Sequence, residues 1–222
     1  MVKIGDNSIT ERELFKKVIL HELAMKPVLC KFALELLNDI PKWFWFESAS
    51  GSGKYHPEYS SGDGGLARHS LMTYRWLMSL MEANEIDLSE YVPAMVFATL
   101  FHDCGKRGSD DIPAPSMIFE HPLIAAKIVI DNAEKFVKEN KEFIDMTADD
   151  EESFKEDIAA AVSCIESHMG RWNTNAKNDS DITLPKPKSA IQYLVHMADY
   201  CSSRKFTEFD ESFFSNICKL KN

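Results

Sequence analysis

An adjacent His102-Asp103 pair closes an apolar segment, and several more histidines and an aspartate fall on faces that should be buried. His69 shares a face with Leu66, Thr73, Leu77 and Leu80 at helical spacing. His121 precedes Ile124, Ala125 and Ile128 by three, four and seven residues. His168 continues the stripe of Phe154, Ile158, Ala161, Val162 and Ile165, and Asp199 follows Val195 by four in the stripe of Ile191, Val195 and Ala198. Each interval puts the polar residue on the apolar side of a helix. A buried imidazole or carboxylate without a partner costs several kcal/mol, although one core histidine with a hydrogen-bond partner is ordinary. Four histidines and two aspartates turned inward by five segments are satisfied most cheaply at one shared polar centre, and a bound divalent cation is the direct way to build one. Histidine and carboxylate donors without cysteine suit Fe, Mn, Co, Ni, Zn or Mg alike.

The elements that must carry these residues are helices, and no run of alternating strand residues stands out. Thr10, with Glu13 three residues on, caps a first helix to about residue 25. Pro27 opens a second, ending near Ile40. Residues 47–64 form a Gly/Ser-rich loop with Lys54, Tyr55, His56 and Tyr59, either a connector or a flap facing substrate. Further helices are expected over 65–83, 89–104, 118–140, 151–169 and 188–204, with a short last one near 209–219. The 89–104 segment is apolar almost all round and belongs at the centre of the domain. Gly105 ends it. The pattern is all-α, a bundle of about seven or eight helices. Residues 1–222 read as one domain, with the helices of 10–40 packed on a core of about 50–205.

With 222 residues, 45% hydrophobic and 27% charged, the chain has a globular composition. Its net charge of -10 opposes binding to long phosphate backbones and leaves room for a local basic pocket. No apolar stretch of about 18 residues is present for a membrane span, and the N-terminal stretch has no apolar signal core. Cys30, Cys104, Cys164, Cys201 and Cys218 form no CxxC pair, which argues against a disulfide framework or thiolate zinc site. The cytoplasm is the expected location.

The segment LFHDCGK, with GGLARHS upstream and VHMADYCSSRK downstream, resembles the signature of the HD-domain superfamily of metal-dependent phosphohydrolases. That resemblance implies an HD-type helical bundle in which His69, His102, Asp103 and Asp199 hold a first metal. FEHPLIAAKIV and IESHMGRW resemble the branch that holds a second ion through His121 and His168, with Asp103 bridging both. That branch often has two consecutive histidines at the second place, where this chain has His168-Met169. The stretch KYHPEYSSGDGGLARHS is similar to the HD part of certain bacterial 3′→5′ exoribonucleases, which carry an additional OB-fold. The resemblance spans roughly residues 50–205.

The chemistry this implies is hydrolysis of a phosphate ester or anhydride of a small molecule, with a nucleotide as the expected substrate and one or two divalent ions as cofactor. Asp103 is the expected bridge and orienter of water. Lys106, one turn past His102, either contacts a phosphate or is a solvated lysine near a helix end. His56 is expected to face the substrate on the exoribonuclease-like pattern. Arg171 suits phosphate recognition and Trp172 either stacks on a base or anchors a loop. Arg68 should point away from its neighbour His69. His196 reads as a partner behind the centre or a core histidine, and the aromatic run at 43–46 as core or lid. Two alternatives keep the same centre: a di-iron oxygenase of the kind known on the HD fold, such as myo-inositol oxygenase, and a non-catalytic ligand-binding domain.

Overall fold

Side-chain caps mark the starts of three helices. The computed structural model describes residues 2–4, 7–51, 53, 56–83, 87–140, 146–175 and 181–219; Lys54 and Tyr55 of the Gly/Ser-rich loop lie outside them. In α1 (Glu11–Glu22) the Thr10 hydroxyl accepts from the Glu13 amide at 3.2 Å, and the Glu13 carboxylate accepts from the Thr10 amide at 3.0 Å. Thr147 with Asp150 starts α6 (Ala148–Ser167) in the same way, and Ser189 with Gln192 starts α7 (Ala190–Ser202). Pro27 opens α2 (Pro27–Asp39), where the missing N–H has no helical partner to lose. The set is completed by α3 (Gly65–Glu82), α4 (Val92–Phe101), α5 (His121–Asn140) and α8 (Glu211–Lys219).

Two helices start three residues later than the apolar pattern puts them, while α6 starts three residues earlier, at its Thr147 cap. Residues 89–91 form a 3-10 turn, and α4 starts at Val92, with Pro93 in its first turn. Likewise α5 starts at His121, followed by Pro122, and not at 118. A proline is tolerated in the first turn, so both mark a start that periodicity does not see. A small hairpin was not legible: β1 (Val2–Ile4) pairs antiparallel with β2 (Asn7–Ile9), Val2 opposite Ile9. Strands of three residues are too short to display a period of two.

Every residue from Ala94 to Phe101 is buried, so α4 is the central helix, packed against α3, α6 and α7. The other main pairs are α3 with α7 and α5 with α6. Phe32 of α2 ties the near side together, with ring centroids 5.7 Å from Phe97, 5.4 Å from Phe136 and 5.4 Å from Phe154. Phe15 of α1 meets Phe44 at 5.9 Å and Phe101 at 6.5 Å. The run at 43–46 is therefore partly core: Trp43 and Phe44 are buried, whereas Phe46 is 65% exposed. This packing brings the N-terminal turns of α3 and α5 beside the C-terminal ends of α4, α6 and α7.

Candidate metal centre

The inward polar residues converge where those helix ends meet. His69 lies in the second turn of α3, His102 and Asp103 directly follow α4, and His121 opens α5. His168 caps the end of α6, and Asp199 sits in the last turns of α7. The four histidines and Asp103 are at most 1% exposed.

Each ring is oriented by what its Nδ1 touches. His102 Nδ1 lies 2.9 Å from the Thr99 carbonyl, His121 Nδ1 2.8 Å from that of Ile118, and His168 Nδ1 2.7 Å from that of Ile165. A carbonyl only accepts, so Nδ1 carries the proton and a neutral ring presents a lone pair at Nε2. Behind His69, Ser202 donates to the Asp199 carbonyl at 2.9 Å and meets Nδ1 at 3.1 Å.

The exposed lone pairs then face one another. On one side His69 Nε2 is 3.0 Å from Asp199 Oδ1 and 3.6 Å from Asp103 Oδ2, while His102 Nε2 is 3.4 Å from Asp103 Oδ2 and 3.6 Å from Asp199 Oδ1. On the other side His121 Nε2 is 3.2 Å from both Asp103 Oδ1 and His168 Nε2. Asp103 thus gives one oxygen to each side. His102 Nε2 and Asp103 Oδ1 are buried with no hydrogen-bond partner. Buried acceptors turned on one another without a proton between them are repulsive, and a cation relieves this. Among the described residues, His69, His102 and Asp103, then His102, His168 and Asp199, and then Asp103, His121 and His168 each bring ligand atoms within 4.8 Å. The donor set fits a divalent metal, and Asp103 belongs to two of the three groups.

Charge and burial compete here. Burial, reinforced by His102 and His121, pushes the His168 pKa down to about 3, and burial also lowers His69. Burial works the other way on Asp103, but Lys106 and His102 outweigh it and hold the carboxyl well below its ordinary range. For His102 burial alone would lower the pKa; Asp103 and Asp199 overcome it and raise it to about 10. A proton and a metal therefore compete for the same Nε2.

A cavity of about 470 Å³ opens onto the centre, lined among others by His56, Lys106, Trp172, Tyr200 and Arg204. Lys106 is buried and donates to Asp103 Oδ2 at 2.6 Å. The His56 ring lies 5.5 Å from that of His69, with Nδ1 buried and unpartnered. Arg171 is not among the lining residues; its guanidinium lies 4.5 Å over the Trp172 ring. Arg68 indeed turns away, pairing with Glu11 at 2.6 Å. His196 hydrogen-bonds the His168 carbonyl through Nδ1 at 2.7 Å. Gly170 makes room for that ring: its φ is +56°, and a Cβ there would sit 2.2 Å from the imidazole. A larger groove of about 610 Å³ between α5 and α6 contains none of these histidines. Tyr200 and Arg204 escaped the sequence reading. Tyr200 adjoins Asp199, and neighbours on a helix usually face apart; Arg204 lies beyond the end of α7, where helical spacing stops applying.

A family model described as HD domain matches residues 66–204 of the chain. No curated protein and no solved structure gives a match.

Proposed function

Since the chain belongs to the HD domain family, we propose that it is a metal-dependent phosphohydrolase acting on a small phosphorylated molecule, most simply a nucleotide. The observation that carries this is Asp103, whose two oxygens face two facing sets of imidazole lone pairs. In this reading His69, His102, Asp103 and Asp199 hold one ion and Asp103, His121 and His168 a second. Bound divalent metal supplies Lewis-acid activation of water and of the phosphoryl oxygen.

The chain's own residues do the remaining work. Carbonyls 99, 118 and 165 fix three imidazoles before substrate arrives, so little reorganisation is needed at the moment of reaction. Lys106 restrains Asp103 and is placed at the cavity wall to offer a further N–H to a phosphate oxygen. His56 stays neutral, its pKa pushed to about 3 by burial and by His69, so it acts as a hydrogen-bonding wall. A cavity of about 470 Å³ is the size that encloses a small ligand, and the net charge of -10 disfavours a long polyanion. We also read the chain as one domain, because Phe15 and Phe32 join α1 and α2 to the core. Among the described residues no helix is long and apolar enough to cross a membrane. The five cysteines are free, which supports a reducing compartment such as the cytoplasm.

The test is elemental analysis of wild type and Asp103→Ala, with phosphate release from a nucleotide panel in Mn, Co, Ni and Mg. Near two equivalents of metal and turnover in wild type, both lost in the variant, are expected. Oxygen uptake with iron and no phosphate release would replace this reading by the oxygenase. A folded wild type that neither binds metal nor turns over would leave a ligand-binding domain.

A further inference from the structure

The cavity carries a cation that the metal centre does not use. Arg204 lies five residues beyond Asp199, and its guanidinium carbon sits 4.3 Å over the Tyr200 ring. Tyr200 is itself stacked on Trp172, with centroids 5.4 Å apart and planes 16° apart. Arg171 rests on the same assembly, 4.5 Å over Trp172 and 6.0 Å over Tyr200. The two aromatic rings are thus already committed to each other and to guanidinium groups, and they serve as a backing rather than as an open platform for a base.

Three of the other five arginines are paired with carboxylates, and the remaining two, Arg12 and Arg171, do not line this cavity. Arg68 pairs with Glu11, Arg75 with Asp210 and Arg107 with Glu47. Among the described residues Arg204 has no carboxylate partner, and its side chain makes one hydrogen bond, from Nη2 to Ser203 Oγ at 2.9 Å. In a chain with 35 acidic and 25 basic residues, a cavity-lining arginine left without a carboxylate is available to an anion from outside. A guanidinium is a planar fork of N–H donors, and one resting on a ring face has its edge left for a phosphoryl oxygen pair. Lys106 already stands at the centre, on Asp103. The cavity therefore offers two separate cations, one at the metal centre and one beside the aromatic pair.

We propose that Arg204, held by Tyr200 and Trp172, is a subsite for a second phosphoryl group of the substrate, so that the site selects diphosphates or bisphosphates over phosphomonoesters. The proposal rests on the phosphohydrolase reading for its kinetic consequence, and its binding consequence is independent of turnover.

The experiment uses the metal-loaded full chain. Pyrophosphate and inorganic phosphate are titrated calorimetrically into wild type, Arg204→Gln, Arg204→Lys, and Lys127→Gln as an exposed control on α5. Arg204→Gln is expected to weaken pyrophosphate about tenfold relative to phosphate, the loss of a charge-assisted pair. Arg204→Lys should recover part of this, and Lys127→Gln should match wild type. The ratio of kcat/KM for a nucleoside diphosphate over p-nitrophenyl phosphate should fall by a similar factor in Arg204→Gln. Tyr200→Leu should reproduce part of the loss and Tyr200→Phe none. An unchanged pyrophosphate-to-phosphate preference in a folded Arg204→Gln overturns the subsite. Altered pyrophosphate binding without turnover on any phosphoester keeps the subsite and sinks the phosphohydrolase reading instead.

Discussion

Gly105→Ala should damage one half of the metal centre and spare the other. Gly105 follows the His102-Asp103 pair and lies against the first turns of α5. A Cβ at this position would sit 2.5 Å from the Ala125 amide nitrogen and 3.0 Å from the His121 carbonyl oxygen. The shorter approach is about 0.9 Å inside the 3.4 Å at which ordinary contact begins. Both atoms are backbone, so the start of α5 must retreat from the end of α4 by most of that amount. His121 is the first residue of α5 and would move with it, away from Asp103 Oδ1, now 3.2 Å from its Nε2. His69, His102 and Asp199 lie on the far side of Asp103 and do not ride on α5. Overpacking of this kind costs about 1–3 kcal/mol, or roughly 3–10 °C in melting temperature for a chain of this size. Elemental analysis should then find wild-type metal minus about one equivalent, and calorimetry should show the lower melting point. Wild-type stoichiometry together with an unshifted melting curve would falsify the claim that this contact sets the position of His121.

Three further outcomes are expected. Loading with Mn to about a hundred times its dissociation constant should raise the melting temperature of wild type by roughly 5–10 °C, reversed by chelator, since such linkage supplies about 2.7 kcal/mol; Asp103→Ala should show no such shift. Phe32→Ala removes the ring shared by Phe97, Phe136 and Phe154 and should cost about 3–5 kcal/mol in urea unfolding, and a loss under 1 kcal/mol would contradict the packing described. Burial raises the Glu11 pKa, but hydrogen bonds, one of them from Arg68, outweigh it and leave it below the ordinary 4.5. Stability from this carboxylate is therefore present above pH 4.5 and lost as pH falls through the folded value. The melting difference between wild type and Glu11→Gln should shrink across that window, and a constant difference would rule out the linkage.

Much of the centre was legible because its residues obey helical spacing. His69, His121, His168 and Asp199 each continue an apolar stripe, and a polar residue on such a stripe needs a partner wherever the helix goes. The caps at Thr10 and Ser189 were equally local, and only the first was read. What escaped depends on contacts between segments distant in sequence, or on residues outside regular structure. Ser202 orients His69 across 133 positions, and nothing near Ser202 announces it. Arg204 acquires its ring only because the turn after α7 folds back over Tyr200. Arg171 sits in the 3-10 turn at Gly170–Trp172, which sets its guanidinium over Trp172, a contact between neighbours that no helical spacing displays.

The span from His69 to Asp199 has a consequence for how the molecule comes apart. A cation gripped by both residues closes a loop of about 130 positions, and it does so at one end of the bundle. Such a clasp acts on the chain as a reversible cross-link, and closing a long loop in this way carries a large share of its benefit in restricting the open chain. Helices α3 and α7 could not then separate one at a time. A clasp made late in assembly would chiefly slow escape from the native state and leave the rate of reaching it almost unchanged.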